Sequence, residues 1–428
     1  MRTHVIATVN ATVWTLYDHP SPMLLVSRIS LFLCLLIFPI SAEPELILTE
    51  ANIADRIHIQ NPDLKAARWK IQEALGQYQQ SGRPARPSLD VQWSHDSRLR
   101  EGEVKIGVTR SFPVTDRLQW EKAISKAQLE AAEMEIRRVE QQLVTDARLI
   151  LIQVIALKNR RQWMTLEEKE AREFAAQLQK NQQRAEGSAL EATQAKIDAS
   201  SLLIEQKQLD AREVALLAEL RNLLGMPIGA SIHASNELPA LMPAAGGSLT
   251  QRADYQQTLK QIDTAKNRVQ RELSNRYDNL DAGIFLSGMR QQDLPSGYNN
   301  DVMLGFQLSI PLPFGDDNSG NIATAKAQVE RFHEEAKSIL TKAKHESQGA
   351  SAEMLEWKKL DAQITDELLP LAEEQLKLAM QAYTQGQGDL SSIFRARTQK
   401  RQLLLSRVDA RSSYHLARIR LQAAHGQP

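Results

Sequence analysis

The chain has almost no cysteine, few aromatic residues and no net charge. Its single cysteine, Cys34, lies in an apolar segment near the start of the 428 residues. The rest of the chain therefore has no thiol for a disulfide, a catalytic cysteine or a thiolate metal site. Basic and acidic residues both number 52, so no excess positive charge is present to attract nucleic acid. Aromatic residues make up 5% of a chain rich in alanine, glutamine, leucine and charged residues, which favours long helices.

Long apolar runs are also missing. The run "ISLFLCLLIFPI" (29–40) follows Arg28 and precedes the small residues of "SAEP". This order is typical of a secretory signal peptide, so we expect residues 1–42 to be one, with cleavage after Ala42 and a possible true start at Met23. A transmembrane anchor is the alternative, although the run is short for a bilayer. No later run reaches 18 apolar residues, which predicts no transmembrane helix after the signal.

The rest of the chain contains an internal repeat. Residues 43–225 and 251–428 each read as helix, strand, strand, long helix and helix, and the segment 226–250, rich in proline and glycine, links them. An internal repeat of this kind indicates duplication, and chance similarity between alanine-rich helices is the alternative. The final helices of the two halves carry corresponding heptad stripes: Ile197, Ile204, Ala211 and Ala218 in the first, and Ala396, Leu403, Ala410 and Ala417 in the second.

Four segments alternate between apolar and polar residues, which predicts strands with one apolar face. They are "SLDVQW" (88–93), "EVKIGVTRSFP" (103–113), "NLDAGIFLSG" (279–288) and "LGFQLSIPLP" (304–313), and the polar stretch 290–301 is predicted as a loop. We expect the apolar face to meet lipid and to include Val91, Trp93, Ile106, Val108, Leu304, Phe306 and Leu308. The opposite face is polar, with residues such as Lys105, Thr109 and Gln307.

Strands of about ten residues are long enough to cross a bilayer when they are tilted. Four strands cannot close a barrel, and an open sheet edge is not tolerated in lipid. Three chains would supply twelve strands, so the pattern predicts a homotrimer with a twelve-stranded β-barrel in contact with outer-membrane lipid. An ordinary antiparallel sheet packed on a core is the alternative.

Two uninterrupted helical patterns, 118–184 and 321–383, are each about 100 Å long at 1.5 Å per residue. Helices of this length joined to membrane strands predict an α-helical tube across the periplasm. The turns that follow them contain Gly187, Gly386 and Gly388, which can adopt positive φ, and the N-cap candidates Ser188 and Asp389. In three copies near a closed tip, Asp389 could instead exclude ions or bind a cation.

Several of these stretches resemble the TolC-like outer-membrane efflux proteins, in the same order along the chain. The stretches are "NPDL", "RSFP", "EGSALEATQAK", "NLLGMP", "SIPLPFGDDNSGNI" and "AYTQGQGDLSSIFRAR". The resemblance implies a mainly α-helical chain with a small β part, and a trimeric barrel on a periplasmic helical tunnel. It also implies a passive exit duct in the outer membrane of a Gram-negative-type bacterium. The implied partners are a periplasmic adaptor, which meets the tip turns, and an inner-membrane pump of the resistance-nodulation-division type.

Within that family, two motifs are most similar to the branch paired with heavy-metal pumps. One is the tip turn with Gly187, Leu190, Glu191 and Ala195, and the other is "LPFGDDNSGNI". The resemblance therefore implies heavy-metal cations as cargo, with drugs or secreted peptides as the alternative. A soluble periplasmic coiled-coil scaffold is the alternative from a different class.

The sequence predicts no enzyme, no cofactor and no tight metal site. No histidine pair after the signal has the i, i+4 spacing that places two imidazoles on one helical face. The methionines are scattered, and no phosphate-binding, dinucleotide-binding or zinc-protease motif occurs.

Overall fold

The computed structural model describes residues 47–184, 188–244, 246–293, 295, 297–312 and 315–427. The predicted signal peptide and the tip-turn residue Gly187 lie outside these residues. The described part is mainly α-helical with a small sheet component, which confirms the predicted class.

Both halves contain helix, strand, strand, long helix and helix in the same order. The elements of the first half are β1 (Ile47–Leu48), α1 (Ile53–Gln60), α2 (Pro62–Gln80), β2 (Ser88–His95), β3 (Gly102–Phe112), α3 (Arg117–Gln183) and α4 (Ala189–Leu223). After β4 (His233–Ala234), the elements of the second half are α5 (Ala253–Ser274), β5 (Leu280–Asp293), β6 (Gly297–Ser309), α6 (Ser319–Gln363), α7 (Leu369–Thr384) and α8 (Leu390–Ala424).

The predicted loop 290–301 is wrong, because most of it is strand. Asp293 pairs with Gly297, so the ladder between β5 and β6 continues almost to the hairpin turn. Polar residues are compatible with this extension because both faces of the sheet are open. At its other end β6 stops at Ser309, before Pro311, which has no N–H to donate to a ladder.

The predicted unbroken helix 321–383 is also wrong in one detail. A π-helical turn, Ile364–Leu368, separates α6 from α7. Pro370 follows within the first turn of α7 and cannot donate the i→i−4 hydrogen bond, so the wider turn precedes the residue that would interrupt a regular helix.

The four long strands form one antiparallel sheet in the order β2-β3-β5-β6. The central pairing, β3 with β5, joins the two halves of the chain, with Phe112 opposite Leu280 and Gly102 opposite Arg290. The strands β2 and β6 lie at the two edges. The turns between β2 and β3 and between β5 and β6 lie at the end of the sheet away from the long helices.

The long helices pack in the order α4, α3, α8, then α6 with α7. The largest apolar cluster lies where α3 packs against α1, α4 and α8, and Leu151, Ile152, Leu220 and Ile419 are almost completely buried there. A smaller cluster near the tip turns includes Ile393 and Ala195. Among the described residues, no helix has the length and apolar character needed to cross a bilayer.

The linker between the halves lies against α8. Arg411 and His415 reach the carbonyl of Pro239, at 3.2 and 3.1 Å, and the Tyr414 hydroxyl donates to the carbonyl of Met242 at 2.9 Å. The His415 side chain is completely buried. Its Nε2 donates to a carbonyl, which leaves Nδ1 as the unprotonated nitrogen, with no partner.

Burial lowers the pKa of His415, and the nearby Arg418 and Arg411 lower it further. The carbonyl of Pro239 and the carboxylate of Glu50 have the opposite, smaller effect. An unfolded histidine titrates near pH 6.5, so the unfolded chain binds more protons than the folded one below that pH. We therefore expect the contribution of neutral His415 to the free energy of unfolding to be fully present above about pH 6.5. It should decrease as the pH is lowered toward the pKa of His415 in the folded chain. Thermal unfolding of the purified protein at pH 8 and pH 5.5 measures this loss.

The control for this prediction is a pair of substitutions. His415→Gln keeps a donor for Pro239 without a group that titrates, and it should reduce the difference between the two pH values. His345→Gln, at an exposed position of α6, should leave the difference unchanged. An equal pH dependence in all three proteins would contradict the assignment.

Candidate functional site

One face of the four-stranded sheet is a continuous apolar surface. Paired residues of antiparallel strands lie on the same face, so the register defines rows across all four strands. The row through Phe306 contains Ile284, Val108 and Leu89, and the next row contains Leu304, Leu286, Ile106 and Val91. A third row contains Trp93, Val104, Gly288 and Val302, and Leu308 lies beside Ala282 and Arg110.

All seven strand residues predicted to face lipid lie on this surface. Their exposed fractions run from 46% at Val108 to 80% at Leu304. No residue that the structure describes covers them, so this apolar face needs a partner outside the described protomer. Val302, 74% exposed, belongs to the same face but was missed, because the predicted strand began two residues later.

The other face of the sheet is polar. It carries Asp90, Gln92, Thr109 and Gln307, with Thr109 donating to Asp90 at 2.5 Å. At the end nearest the helices, Ser111 donates to Asp281. The sheet therefore has one apolar face and one polar face. A strand that lies between lipid and an aqueous lumen has the same arrangement.

The two edge strands give the sheet unpaired backbone groups. The other sides of β2 and β6 have no ladder partner among the described strands. An exposed edge with apolar side chains is a ready template for pairing with another strand.

The end of α7 is a Schellman motif at the predicted turn. Gly386 has φ +73°, its N–H donates to Tyr383, and the N–H of Gln387 donates to Ala382 at 2.9 Å. Gly388 does not adopt positive φ, which corrects that expectation. A Cβ at this position would be crowded, because it would lie 3.0 Å from the Ala382 Cβ.

Helices α4 and α8 begin directly after the predicted N-cap residues Ser188 and Asp389, but only Asp389 makes a capping hydrogen bond with its side chain. The Asp389 carboxylate accepts from the Ser392 N–H at 3.1 Å and from the Ser391 hydroxyl at 2.6 Å. The bond to the Ser392 N–H is the predicted N-cap, and these bonds together lower the pKa of Asp389 to about 2. Ser188 lies at the N-cap position of α4 with extended backbone, but its side chain makes no capping hydrogen bond.

The two tip turns are joined by side chains. The Tyr383 hydroxyl donates to the Glu191 carboxylate at 3.3 Å, and burial together with this carboxylate raises the pKa of Tyr383. Phe174 of α3 and Phe394 of α8 meet edge to face with ring centroids 6.3 Å apart. Glu191 belongs to the tip-turn motif of the sequence, but its bond to Tyr383 could not be predicted from the residues.

The described residues contain no group of three or more histidine, cysteine, aspartate or glutamate side chains placed to hold a metal ion. A cavity of about 1000 Å³ lies between α3, α8 and the linker. Its charged side chains are mostly basic, including Lys158 and Arg411, and both of these donate to backbone carbonyls.

These surfaces have a counterpart in known sequences. Residues 53–226 match the profile of a family described as "Outer membrane efflux protein". This part of the chain is similar to that family. The match spans α1 to α4, including β2 and β3 and therefore half of the apolar sheet face. No curated protein sequence matches the chain at a significant level.

Several solved structures share the fold of this chain over most of its length. CusC matches with a TM-score of 0.74 at 17% identity, over 89% of this chain and 92% of CusC. VceC from Vibrio cholerae matches at 0.71 and 16% identity, over 88% and 96% of the two chains. The open state of MtrE from Neisseria gonorrhoeae matches at 0.66 and 14% identity, over 88% and 89%. The second half therefore has this fold as well.

Proposed function

We propose that this chain forms the outer-membrane channel of a tripartite efflux system and acts as a passive exit duct. The observation that carries the proposal is the sheet, which has an uncovered apolar face, a polar face and two open edges on one protomer. An isolated sheet of this kind is unstable in water and in lipid. The family match of residues 53–226 supports the same conclusion.

The homotrimer follows from closing those edges. Strand β6 of one copy pairs with β2 of the next, and three copies make a closed barrel of twelve strands. The apolar rows then face outer-membrane lipid, and the polar faces line the lumen. The long helices extend from the strand ends into the periplasm of a Gram-negative-type bacterium.

The duplicated helices support the same assembly. The α8 stripe is covered within the chain: Ala396, Ala410 and Ala417 are completely buried, and Leu403 is partly buried. The corresponding α4 stripe is exposed, with Ile197 at 57% and Ile204 at 61%.

This difference has a geometric cause. In the packing order of the described helices, α8 lies between α3 and α6, whereas α4 packs against α3 alone. A second copy would supply the missing neighbour through its α6 and α7, where Leu371 and Leu378 are 63% and 57% exposed. The two halves would then alternate around a ring of three chains.

The tip turns are the proposed contact with the periplasmic adaptor. The candidates are Gly187, Ser188, Gly386, Gly388 and Asp389, which come where each long helix reverses, at the end far from the sheet. Leu190, 77% exposed beside the first turn, adds an apolar contact. The adaptor would connect the duct to an inner-membrane pump of the resistance-nodulation-division type, which supplies the energy. The duct itself then needs no catalytic group and no cofactor.

Heavy-metal cations are the proposed cargo. The tip turn and "LPFGDDNSGNI" resemble the heavy-metal branch of the efflux proteins. A duct for drugs or peptides is the competing function, since the fold does not distinguish the cargo: several outer-membrane proteins match this chain with TM-scores of 0.71 to 0.74.

Growth of a deletion strain tests the cargo. The strain is compared with its parent on Co²⁺, Zn²⁺, Cd²⁺, Ni²⁺, Cu⁺ and Ag⁺, and on drugs and bile salts. We expect at least about a twofold lower tolerance to one or two cations, restored by the gene, because an exit duct limits export only of its own cargo. Sensitivity confined to drugs or bile salts would assign the competing cargo.

A further inference from the structure

The polar face of the sheet carries a single aromatic residue among the described strand positions, Phe285 of β5. It stands in the middle of the face, directly opposite Gly107 on β3 and Gly305 on β6. An aromatic side chain between two glycines has room to lie down along the sheet.

The ring lies over Gly305. A Cβ on Gly305 would overlap the far edge of the ring, within 2.7 Å of both Cε1 and Cε2. Real Cβ atoms are not found that close to another heavy atom, so any side chain at 305 would displace the ring. The absence of a Cβ at this position therefore allows Phe285 to lie flat.

The Phe285 ring also contacts a lysine side chain. The Nζ of Lys105 is 3.6 Å from the ring centroid, within the range of a cation–π contact. Lys105 lies on β3 and its side chain reaches across to the ring on the neighbouring strand. Lys105 is also the only basic residue among the described positions of the polar face. Its ammonium group lies against the Phe285 ring.

We propose that Gly305, Phe285 and Lys105 form a folded-down aromatic stack that sets the free width of the duct at mid-barrel. This inference rests on the proposed function, in which the polar face lines a lumen. With three copies, a ring that stands up from each wall would narrow the lumen at one level. The stack is therefore a determinant of cargo size in the barrel.

The test uses thiol labelling from outside intact cells, in a Cys34→Ser background that removes the one native cysteine. Ser309→Cys and Asp301→Cys are placed separately on the polar face of β6. Each lies four residues from Gly305, Ser309 toward the helices and Asp301 toward the hairpin turns. Both native side chains are exposed. A small methanethiosulfonate reagent and maleimide-polyethylene glycols of increasing length are the probes.

We expect Gly305→Val to slow labelling of Ser309→Cys by the longest polymer that enters the parent, by at least about twofold, because pore diameter controls passage. Labelling of Ser309→Cys by the small reagent should stay unchanged. Labelling of Asp301→Cys should also stay unchanged, because a reagent that enters from outside the cell reaches Asp301 before it reaches the stack. Adding Phe285→Ala to Gly305→Val should restore the parental rate. Gly288→Val, on the other face of β5 where a Cβ meets no atom within 4 Å, is the matched control.

Two results would overturn the inference. One is an unchanged polymer rate in Gly305→Val with normal protein in the outer membrane, and the other is a double variant as slow as Gly305→Val alone. The proposed function fails in a different way. If the small reagent labels neither cysteine from outside while both react after lysis, no open lumen reaches the cell surface.

Discussion

Phe306→Asp and Leu308→Asp are each expected to remove most of the protein from the outer membrane. Both side chains lie on the uncovered apolar face of β6 and are 67% and 48% exposed. A charged residue on the lipid face of a barrel costs up to about 2 kcal/mol near the bilayer midplane, and a trimer incurs this cost three times. Quantitative blotting of outer-membrane fractions gives the yield of each variant.

Gln307→Asp is the matched control for the face assignment. It introduces the same charge between the two test positions, but Gln307 lies on the polar face beside Gly283. Its yield should remain within about a factor of two of the parent, because lumen substitutions are tolerated in such barrels. Equal yields of all three variants would show that the apolar face does not contact lipid.

The double substitution Ile197→Glu and Ile204→Glu is expected to prevent trimer formation while each chain still folds. Both side chains are more than half exposed on the protomer, so carboxylates there are hydrated in a single chain. In the proposed trimer they would be buried against α6 and α7 of the next copy. Burying an unpaired charge at an apolar contact costs several kcal/mol, and six such charges would enter each trimer.

Light scattering of the detergent-purified protein measures the mass of the assembly, and circular dichroism measures its helix content. Lys196→Glu is the matched control, since it changes the charge of an exposed neighbour that points about 100° away around the helix. We expect trimers from this control and monomers with parental helix content from the double variant. Trimers from the double variant would place the contact between copies elsewhere.

The long helices and the alternating strands could be predicted because their signals are local. The helix predicted from 118 to 184 is α3, Arg117–Gln183, since a run of good helix formers without glycine or proline has one favoured backbone state. The seven strand residues expected to face lipid share one face because side chains alternate along a strand. The strand ends could not be predicted, since backbone pairing carried β5 and β6 into a polar stretch that reads as loop.

The tip turns show the same division. The N-cap role of Asp389 is a short-range property and was predicted, as was the positive φ of Gly386. The link between Tyr383 and Glu191 joins residues 192 positions apart, and no local pattern indicates it.

The sequence by itself determined the duplicated order of elements, the two long helices and the one-sided strands, because these depend on the period of apolar residues and on turn chemistry. Only the tertiary structure decided which repeated surfaces are covered. Ile204 and Leu403 occupy corresponding stripes of the two halves, yet Ile204 is 61% exposed and Leu403 is partly buried. Burial depends on the neighbours that a helix acquires when the whole chain is folded, and two similar sequences at different places in one fold have different neighbours.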